Sequence, residues 1–449
     1  GYNRTMSMMD SIKSRIHRRV NLDNIRLRRM VYRSNFPELR FKNIIIDGAN
    51  PQQQAYMKKE FHKSDNKEFT YEDLKQGYFR LLSDKMISEI IPHAIYNPED
   101  DTYDLHLKVK LENNFAVRLG GNISTSNSNQ IYLGLSYQDL NYYAKEFILD
   151  GQLGKVYNNV QFMAKIDFAT AIPTSYRLIG SISTFDYFKK DKLFSRNNKP
   201  AFNQKDERFL KLQVGLPFLS SKRAEFGVGI ARIEDKYFQK SVIDFGNDKF
   251  DKSRYDLFGG SISFNGSTLN SKQYPTRGYR EALVAQIFVG KERFYPGEGS
   301  TTSNNKDHHS WLQLSYMKEK YHNMSEHWVL GWYLKALYAS KNFSENYTAT
   351  MMQAGEFSPT LHSKLTYNEA FRANQFVGAG IRPIYRLNQM FHLRGEFYGF
   401  MPIYPIEKNS LNKAYYGKAF SKFEYLGEIS VVCQLPFGDI SAYVNHYSS

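Results

Sequence analysis

The residues that could do chemistry do not form a complete catalytic motif. Asp47, Gly48 and Ala49 could supply the acid of a serine–aspartate dyad, which also needs a serine held on a sharp Gly-x-Ser-x-Gly turn. The sequence of 449 residues contains no Gly-x-Ser-x-Gly. His308 and His309 fall in a predicted outer loop, and no further ligands stand at a spacing that would complete a metal site. We therefore expect no catalytic residue, no metal and no cofactor.

Composition limits the class of protein. The mean hydropathy is -0.55, and no stretch approaches the roughly 18 apolar residues of a membrane-spanning helix. An aromatic content of 15% is still compatible with strands that contact lipid through alternate residues. The net charge of +15 fits nucleic acid, anionic lipid or lipopolysaccharide, but the sequence has no recognition-helix signature or zinc-finger spacing. The single cysteine, Cys433, excludes an internal disulfide.

Apolar and polar residues alternate along most of the chain after about residue 114. This period of two is typical of strands with one apolar face. The strands run to ten or more residues, whereas those of a soluble sandwich are typically about five or six, so their length favours a membrane barrel. We count roughly fifteen such strands. One example has on its apolar face Val160, Phe162, Ala164, Ile166 and Phe168.

Connection lengths predict the topology of these strands. Long connections near 189–204, 237–252, 291–307, 340–374 and 403–417 alternate with turns that are mostly short. All the long connections therefore fall on one side, as expected of the external loops of an outer-membrane barrel. Because such barrels usually have an even number of strands, we expect sixteen strands, of which the last is missing from this chain. The alternative is that this strand count is wrong, because a strand near 340–356 has been divided or fused incorrectly in it.

Two segments precede the barrel region 113–449. Residues 1–40 are basic with near-helical apolar spacing, which indicates a helical connector or, alternatively, a nucleic-acid arm. Residues 41–112 have the order β-α-α-β-β and form a predicted small α+β domain. Its second helix is expected over Thr70–Met86, with Thr70 and Asp73 as a capping pair. The buried stripe of this helix is predicted to contain Leu74, Tyr78, Leu81 and Leu82.

The segment Phe41-Lys42-Asn43-Ile44-Ile45-Ile46-Asp47-Gly48 within this order resembles a POTRA domain, the polypeptide-transport-associated module that precedes BamA-like outer-membrane barrels. Tyr274-Pro275-Thr276-Arg277-Gly278 resembles the Phe-Pro-Thr-x-Gly element that stands before a mid-barrel strand in that superfamily. The element falls in a predicted periplasmic turn. The resemblance thus implies a turn motif formed by Pro275, Thr276 and Gly278.

The longest outer loop ends in Phe371-Arg372-Ala373-Asn374-Gln375-Phe376, which resembles the Val-Arg-Gly-Phe motif of the same superfamily. Ala373 stands where the family has glycine. In the family the loop folds back into the lumen, and its arginine is held by groups on the inner wall. The resemblance implies that Phe371, Arg372 and Phe376 lock the loop, with Glu396 as the partner of Arg372.

The single POTRA-like module, the Phe-Arg-Ala-Asn sequence and the basic lead-in are together similar to the C-terminal half of Bacteroidetes-type patatin-like phospholipases. This resemblance implies a non-catalytic outer-membrane module that anchors or translocates an upstream patatin-like lipase domain absent from this chain. The alternative is an assembly or translocation factor of the BamA type, which offers the edge of its first strand, Phe115 to Ser124, to incoming strands.

These interpretations also predict the surroundings of the protein. The barrel would lie in the bacterial outer membrane with the POTRA-like domain in the periplasm. Its neighbours would be outer-membrane lipid, lipopolysaccharide and, in the alternative, other outer-membrane proteins, but no nucleic acid. Lipid hydrolysis by the chain itself would need a serine and a histidine paired at the lipid-facing rim, and no such arrangement is evident from the sequence. The oligomeric state is left open.

Overall fold

A computed structural model describes residues 1–16, 21–34, 38–61, 68–124, 129–168, 172–187, 203–219, 222–238, 249–297, 300, 305–436 and 438–448. The chain divides into two compact units, Gly1–Glu112 and Asn113–Ser449. In the described residues, no helix is both long and apolar enough to cross a membrane.

The described residues of the first unit form five helices and a four-stranded sheet. Strand β1 runs parallel to β4, whereas β2 pairs with β1 and β3 with β4 in the antiparallel sense, which gives the order β2-β1-β4-β3. The elements are α1 (Tyr2–Ser7), α2 (Met9–Arg15), α3 (Leu22–Ser34), β1 (Arg40–Asp47), α4 (Pro51–Phe61), β2 (Phe69–Thr70), α5 (Tyr71–Leu82), β3 (Ile87–Asn97) and β4 (Thr102–Leu111).

Helix α5 shows where the sequence predictions for this unit succeed and fail. The capping pair is confirmed, because the Thr70 hydroxyl accepts from the Asp73 backbone N–H while the Asp73 carboxylate accepts from the Thr70 backbone N–H. The helix ends at Leu82 rather than Met86. Leu81 is buried as predicted, but the prediction for Leu82 is wrong, since its side chain is 45% exposed.

The second unit is built on one antiparallel sheet of fifteen strands, in which each strand pairs with its sequence neighbours among these fifteen. The sheet strands are β5 (Phe115–Asn122), β6 (Gln130–Leu140), β7 (Ala144–Gly154), β8 (Tyr157–Phe168), β9 (Thr174–Tyr187), β10 (Asn203–Phe218), β11 (Lys222–Tyr237), β12 (Asp251–Ser267), β13 (Gly278–Tyr295), β14 (Asn305–Asn323), β15 (Trp328–Ala339), β18 (Gln375–Arg386), β19 (Phe391–Pro402), β22 (Glu424–Leu435) and β23 (Gly438–Tyr447). Two short hairpins and helix α6 lie in the connections: α6 (Tyr347–Gln353), β16 (Gly355–Glu356), β17 (Arg372–Ala373), β20 (Ile406–Lys408) and β21 (Ala414–Tyr416).

Two predicted connections have different limits in the structure. The strands β13 and β14 are longer than the alternation suggested, so the connection between them is 296–304 rather than 291–307. His308 and His309 consequently lie in β14, not in an outer loop. The connection after β19 extends to residue 423 and carries the β20–β21 hairpin. The predicted connection 189–204 falls mostly outside the described residues.

The two faces of the sheet differ in polarity in the way that the alternation predicts. Residues directly opposite one another on paired antiparallel strands project to the same face. On one face, called the outward face here, such a row consists of Leu210, Ile230, Phe258 and Val289, all of them exposed. On the inward face, the side chains of Asp235, Tyr255, Glu292 and His309 are buried. The apolar side chains thus face outward and a polar network faces inward.

Candidate functional site

The interior of the second unit holds the candidate site, because a turn and a long loop both lie against the inward face. The turn joins β12 to β13 and contains Tyr274, Pro275 and Thr276. Tyr274 has a positive φ of 46° and Gly278 one of 93°. A Cβ on Gly278 would lie 2.1 Å from the Thr268 carbonyl oxygen, so glycine is required at this position. The predicted turn motif therefore has a steric basis at Gly278.

Three backbone carbonyls of this turn accept hydrogen bonds from three different strands. Gln434 of β22 donates to the Tyr274 carbonyl at 3.3 Å. Arg394 of β19 donates to the Pro275 carbonyl at 2.8 Å, and Arg386 of β18 donates to the Thr276 carbonyl at 3.1 Å. The turn is fixed internally by the Asn270 side-chain oxygen, which accepts from the Thr276 and Arg277 backbone N–H groups at 3.0 and 2.9 Å.

The same turn shows that the sheet is strongly curved. The Tyr274 hydroxyl lies 2.8 Å from the Ser441 hydroxyl of β23. Six strand intervals separate β13 from β23 in the sheet, which would be roughly 29 Å in a flat sheet. A turn next to β13 can therefore reach β23 only because the intervening strands curl around it.

A buried ion cluster lies beside the turn and was not predicted from the sequence. Arg382 of β18 pairs with Glu319 of β14 and lies 3.6 Å from Glu396 of β19. Arg394 also pairs with Glu396, and its guanidinium contacts the Tyr321 hydroxyl at 3.0 Å. Arg382 and Arg394 are 4% and 2% exposed. Because buried charges are costly unless they are paired, this cluster fixes the relative positions of three strands.

The loop 340–374 joins β15 to β18 and carries the predicted lock residue Arg372. The Arg372 Nη2 atom lies 2.6 Å from the Glu356 carboxylate, and its Nη1 atom is 3.4 Å from the Met352 carbonyl. Its guanidinium lies 4.6 Å from the centre of the Tyr367 ring. Arg372 is thus buried and held by groups of its own loop.

The predicted ion pair between Arg372 and Glu396 is wrong. The strands β16 and β17 form a small antiparallel hairpin within the loop, and its register sets Arg372 directly opposite Glu356. Glu396 is bound instead by Arg394, two residues away on the same face of β19, and by Arg382. The spacing of Arg394 and Glu396 was visible in the sequence, but the strand opposite each residue was not.

The two aromatic residues of the predicted lock lie in one interior cluster. Phe371 and Phe376 are 3% and 0% exposed. Both contact Phe400 of β19, with ring centroids 5.6 and 5.0 Å apart. Phe371 also meets the ring of Tyr447 in β23 edge-on, at 5.9 Å. The end of the loop is therefore packed against both β19 and the last strand of the sheet.

The start of the loop lies against the opposite side of the interior. Asn346 caps helix α6 and donates to the Tyr237 hydroxyl of β11 at 2.7 Å. Gln353, at the end of α6, donates to the Asp235 carboxylate of β11 at 2.6 Å. The ammonium of Lys341 lies 4.6 Å from the centre of the Trp311 ring. The loop thus makes contacts on the inward face from β11 to β23.

The last strand receives one further contact from the loop. The ring of His362 stacks on that of Tyr443 in β23, with centroids 3.4 Å apart and an interplanar angle of 15°. Together with Tyr274 against Ser441 and Phe371 against Tyr447, this makes three interior contacts to alternate positions of β23. The inner face of this edge strand is therefore half-buried.

The first strand of the sheet has a different environment. In the described part of the chain, β5 and β23 are the two edges of the sheet. All eight residues of β5 are exposed, including Val117 at 53% and Leu119 at 80%. The Arg118 guanidinium contacts Asp150 at 3.1 Å. One edge of β5 thus pairs with β6, while no strand of the described residues pairs with its other edge.

The remaining candidates for catalysis or metal binding lie at positions where they serve the fold. Asp47 ends β1, and Gly48 follows with φ 89° where a Cβ would lie 2.2 Å from the Val109 carbonyl oxygen. His309 is buried with its Nε2 atom 2.7 Å from the Glu292 carboxylate. Across the residues that the structure describes, no three His, Cys, Asp or Glu side chains are grouped closely enough to hold a metal ion.

Comparison with solved structures identifies the fold. The structure matches the crystal structure of BamA from Haemophilus ducreyi lacking POTRA domains 1-3, with a TM-score of 0.62 and 12% identity over 92% of this chain and 81% of that chain. It also matches CdiB from Escherichia coli, with a TM-score of 0.51 and 10% identity over 92% and 73% of the two chains. No family model matches the sequence, and no curated protein matches it significantly. At these identities the likeness shows a shared fold.

Proposed function

We propose that the chain is a β-barrel protein of the bacterial outer membrane that helps other polypeptides to assemble in, or cross, that membrane. The unit Gly1–Glu112 would be its periplasmic module. The likeness to BamA and CdiB supports this class of function. The edge of β5 that faces away from β6 supplies the chemistry, because an exposed strand edge can pair with an incoming extended segment.

The width of the outward apolar band carries the membrane part of the proposal. Along β11, the band lies between two outward-facing charged residues, Lys222 and Arg232. Ten residues span roughly 34 Å along a strand, which a tilt of about 40° reduces to roughly 26 Å. This height is close to the apolar band of about 25 Å in outer-membrane barrels. Exposed Val228 and Ile230 between the two charges would then face lipid.

The membrane part is tested by purification and electrophoresis. A folded barrel should need detergent to stay dispersed, and it should migrate differently on gels before and after boiling. A monodisperse particle in detergent-free buffer would contradict the proposal, because the apolar outward face would then have to be covered by protein.

The assembly part is tested by placing a photo-crosslinking residue on each edge strand. We would compare position 119 of β5 with the control position 444 of β23, since Leu119 and Val444 are 80% and 77% exposed. The full chain in lipid vesicles would be mixed with an unfolded outer-membrane barrel polypeptide. Capture at position 119 well above that at position 444 is expected. Equal capture at both positions would reject a role for the β5 edge.

Anchoring of an upstream patatin-like lipase domain is a second candidate. It is favoured by the helices at the start of the chain, since α1 and α2 bury no residue and α3 carries exposed Leu27 and Met30. Such helices suit a connector that packs against another domain. Recovery of the natural reading frame tests this candidate, and a mature protein with no hydrolase domain would exclude it.

A further inference from the structure

We propose that the outward face of β9 to β13 binds a lipid with two phosphate groups and several acyl chains, at a site formed by an apolar depression and two unpaired cations. This inference rests on the proposed membrane location. It goes beyond that location because it assigns one class of lipid to one place on the protein.

The apolar part of the site is a shallow depression, open to the outside, in the outward face with a volume of about 810 Å³. Its floor includes Gly180, where an added Cβ would meet only the Leu210 side chain at 3.6 Å and the Phe209 carbonyl oxygen at 3.9 Å. A second apolar depression of about 900 Å³ adjoins it, lined by Leu212, Val228 and Ile287. The walls of the first are formed by Val160, Phe162, Ile182, Ile230, Phe258 and Val289. The two volumes together offer an elongated apolar trough for acyl chains.

The polar part is a row of charges at one end of the first depression. Arg208, Arg232, Asp256 and Lys291 lie directly opposite one another on β10, β11, β12 and β13, and all four line the depression. Asp256 is paired with Arg232 at 2.6 Å. Within the described residues, Arg208 and Lys291 form no ion pair, and both are exposed. The row therefore presents two positive charges that can bind an anionic head group.

The spacing of these two charges favours a head group with two separated phosphates. Three strand intervals lie between Arg208 and Lys291, which corresponds to roughly 14 Å. Two phosphates carried by one disaccharide can meet both cations while the side chains stay near their own strands, whereas a single phosphate would require both side chains to converge on one point. Arginine can also bind a phosphate through two parallel hydrogen bonds.

The place of the row in the topology supports the same lipid. The row lies toward the ends of β10 and β11 that carry the long connections 188–202 and 238–250. In the proposed orientation these connections are external. The row would therefore lie at the level of the external leaflet, where it would meet the phosphates of a multiply acylated glycolipid rather than periplasmic molecules.

Binding of purified lipid A to the full chain in detergent tests the charged part of the site. We would titrate lipid A with both phosphates, the same lipid after removal of both phosphates, and phosphatidylglycerol. The test variant is R208Q/K291Q. Its matched control is K272Q/K320Q, which removes the same charge from two exposed lysines without ion pairs in the described structure, on the side of the short turns.

We expect the wild type and the control to bind phosphorylated lipid A equally. The test variant should bind it about tenfold or more weakly, because two cations that contact the head group are removed. Equal binding by R208Q/K291Q and the control would overturn the proposal. So would equal binding of dephosphorylated lipid A by the wild type, or a preference for phosphatidylglycerol.

A second pair of variants tests the apolar part without changing charge. Gly180→Leu fills the floor of the depression, whereas Gly151→Leu adds the same bulk at an outward position of β7 where the added Cβ would meet only the Leu133 carbonyl oxygen, at 3.8 Å. Only Gly180→Leu should weaken lipid A binding. Unchanged binding by Gly180→Leu would overturn the trough. Detergent dependence and gel shift, measured on every variant, separate this outcome from a failure of the membrane proposal.

Discussion

The two edges of the fifteen-stranded sheet differ in what lies against their inner faces. On β23, Ser441, Tyr443 and Tyr447 are contacted by residues of the interior turn and loop. On β5, all eight residues are exposed. An edge strand held by side-chain packing on its inner face should open at a higher free energy than one held only by its neighbour. The comparison indicates that β23 is the fixed edge and β5 the adaptable one.

Among the variants that test this comparison of the two edges, those of the buried ion cluster should have the largest effect on stability. Arg382→Met would leave Glu319 and Glu396 without this partner, and we expect a loss of about 3–5 kcal/mol in the free energy of unfolding. The measurement is urea unfolding in detergent. Arg386→Met is the control, because Arg386 binds a carbonyl and the Asn323 side chain and should cost only about 1 kcal/mol. Similar losses for both variants would show that the cluster does not organise the interior.

The loop arginine should have the next largest effect. Arg372→Met leaves Glu356 unpaired inside the loop, and we expect a loss of about 2 kcal/mol. Since Glu356 is more exposed than Glu396, the loss should be smaller than for Arg382→Met. A double variant with Glu356→Gln should recover part of the loss, whereas Glu396→Gln should not. Rescue by Glu396→Gln would instead indicate that Arg372 pairs with Glu396, as first predicted from the sequence.

These two arginines also show what the sequence could and could not predict. The alternation predicted which residues face inward, so Arg394 and Glu396 were assignable to one face of one strand. It could not predict which residues of other strands lie opposite them, since register and curvature depend on the whole sheet. Glu356 was missed for this reason: the small hairpin that sets it against Arg372 has only two residues in each strand.

The turn that reaches β23 should be sensitive to one methyl group. Gly278→Ala places a Cβ against the Thr268 carbonyl oxygen at a φ of 93°, and we expect a loss of about 1–3 kcal/mol. Gly151→Ala is the control, since its Cβ would make only an ordinary contact. Thermal unfolding in detergent measures both. If the variants melt together, the turn is not under the steric constraint that its geometry implies.

Removal of the stacked ring should loosen one edge only. In Tyr443→Leu the contact with His362 is lost, and we expect about 1 kcal/mol less protection of the β23 amides in hydrogen exchange. Val444→Leu changes the outward face of the same strand and should leave the exchange unchanged. Amides of β5 should exchange faster than those of β23 in the wild type. Equal protection of the two edges would contradict the proposed difference between them.

The smallest effect on stability, and the sharpest on function, is expected at the free edge. Leu119→Lys should change the free energy of unfolding by no more than about 0.5 kcal/mol, because the side chain is already 80% exposed. A lysine on an edge strand nevertheless opposes pairing with another strand. With the photo-crosslinker moved to position 117, capture of an unfolded barrel polypeptide should therefore fall, while Val444→Lys should leave it unchanged. If Leu119→Lys leaves capture intact, then capture beside β5 does not depend on backbone pairing with its edge, and the assembly role assigned to that edge is contradicted.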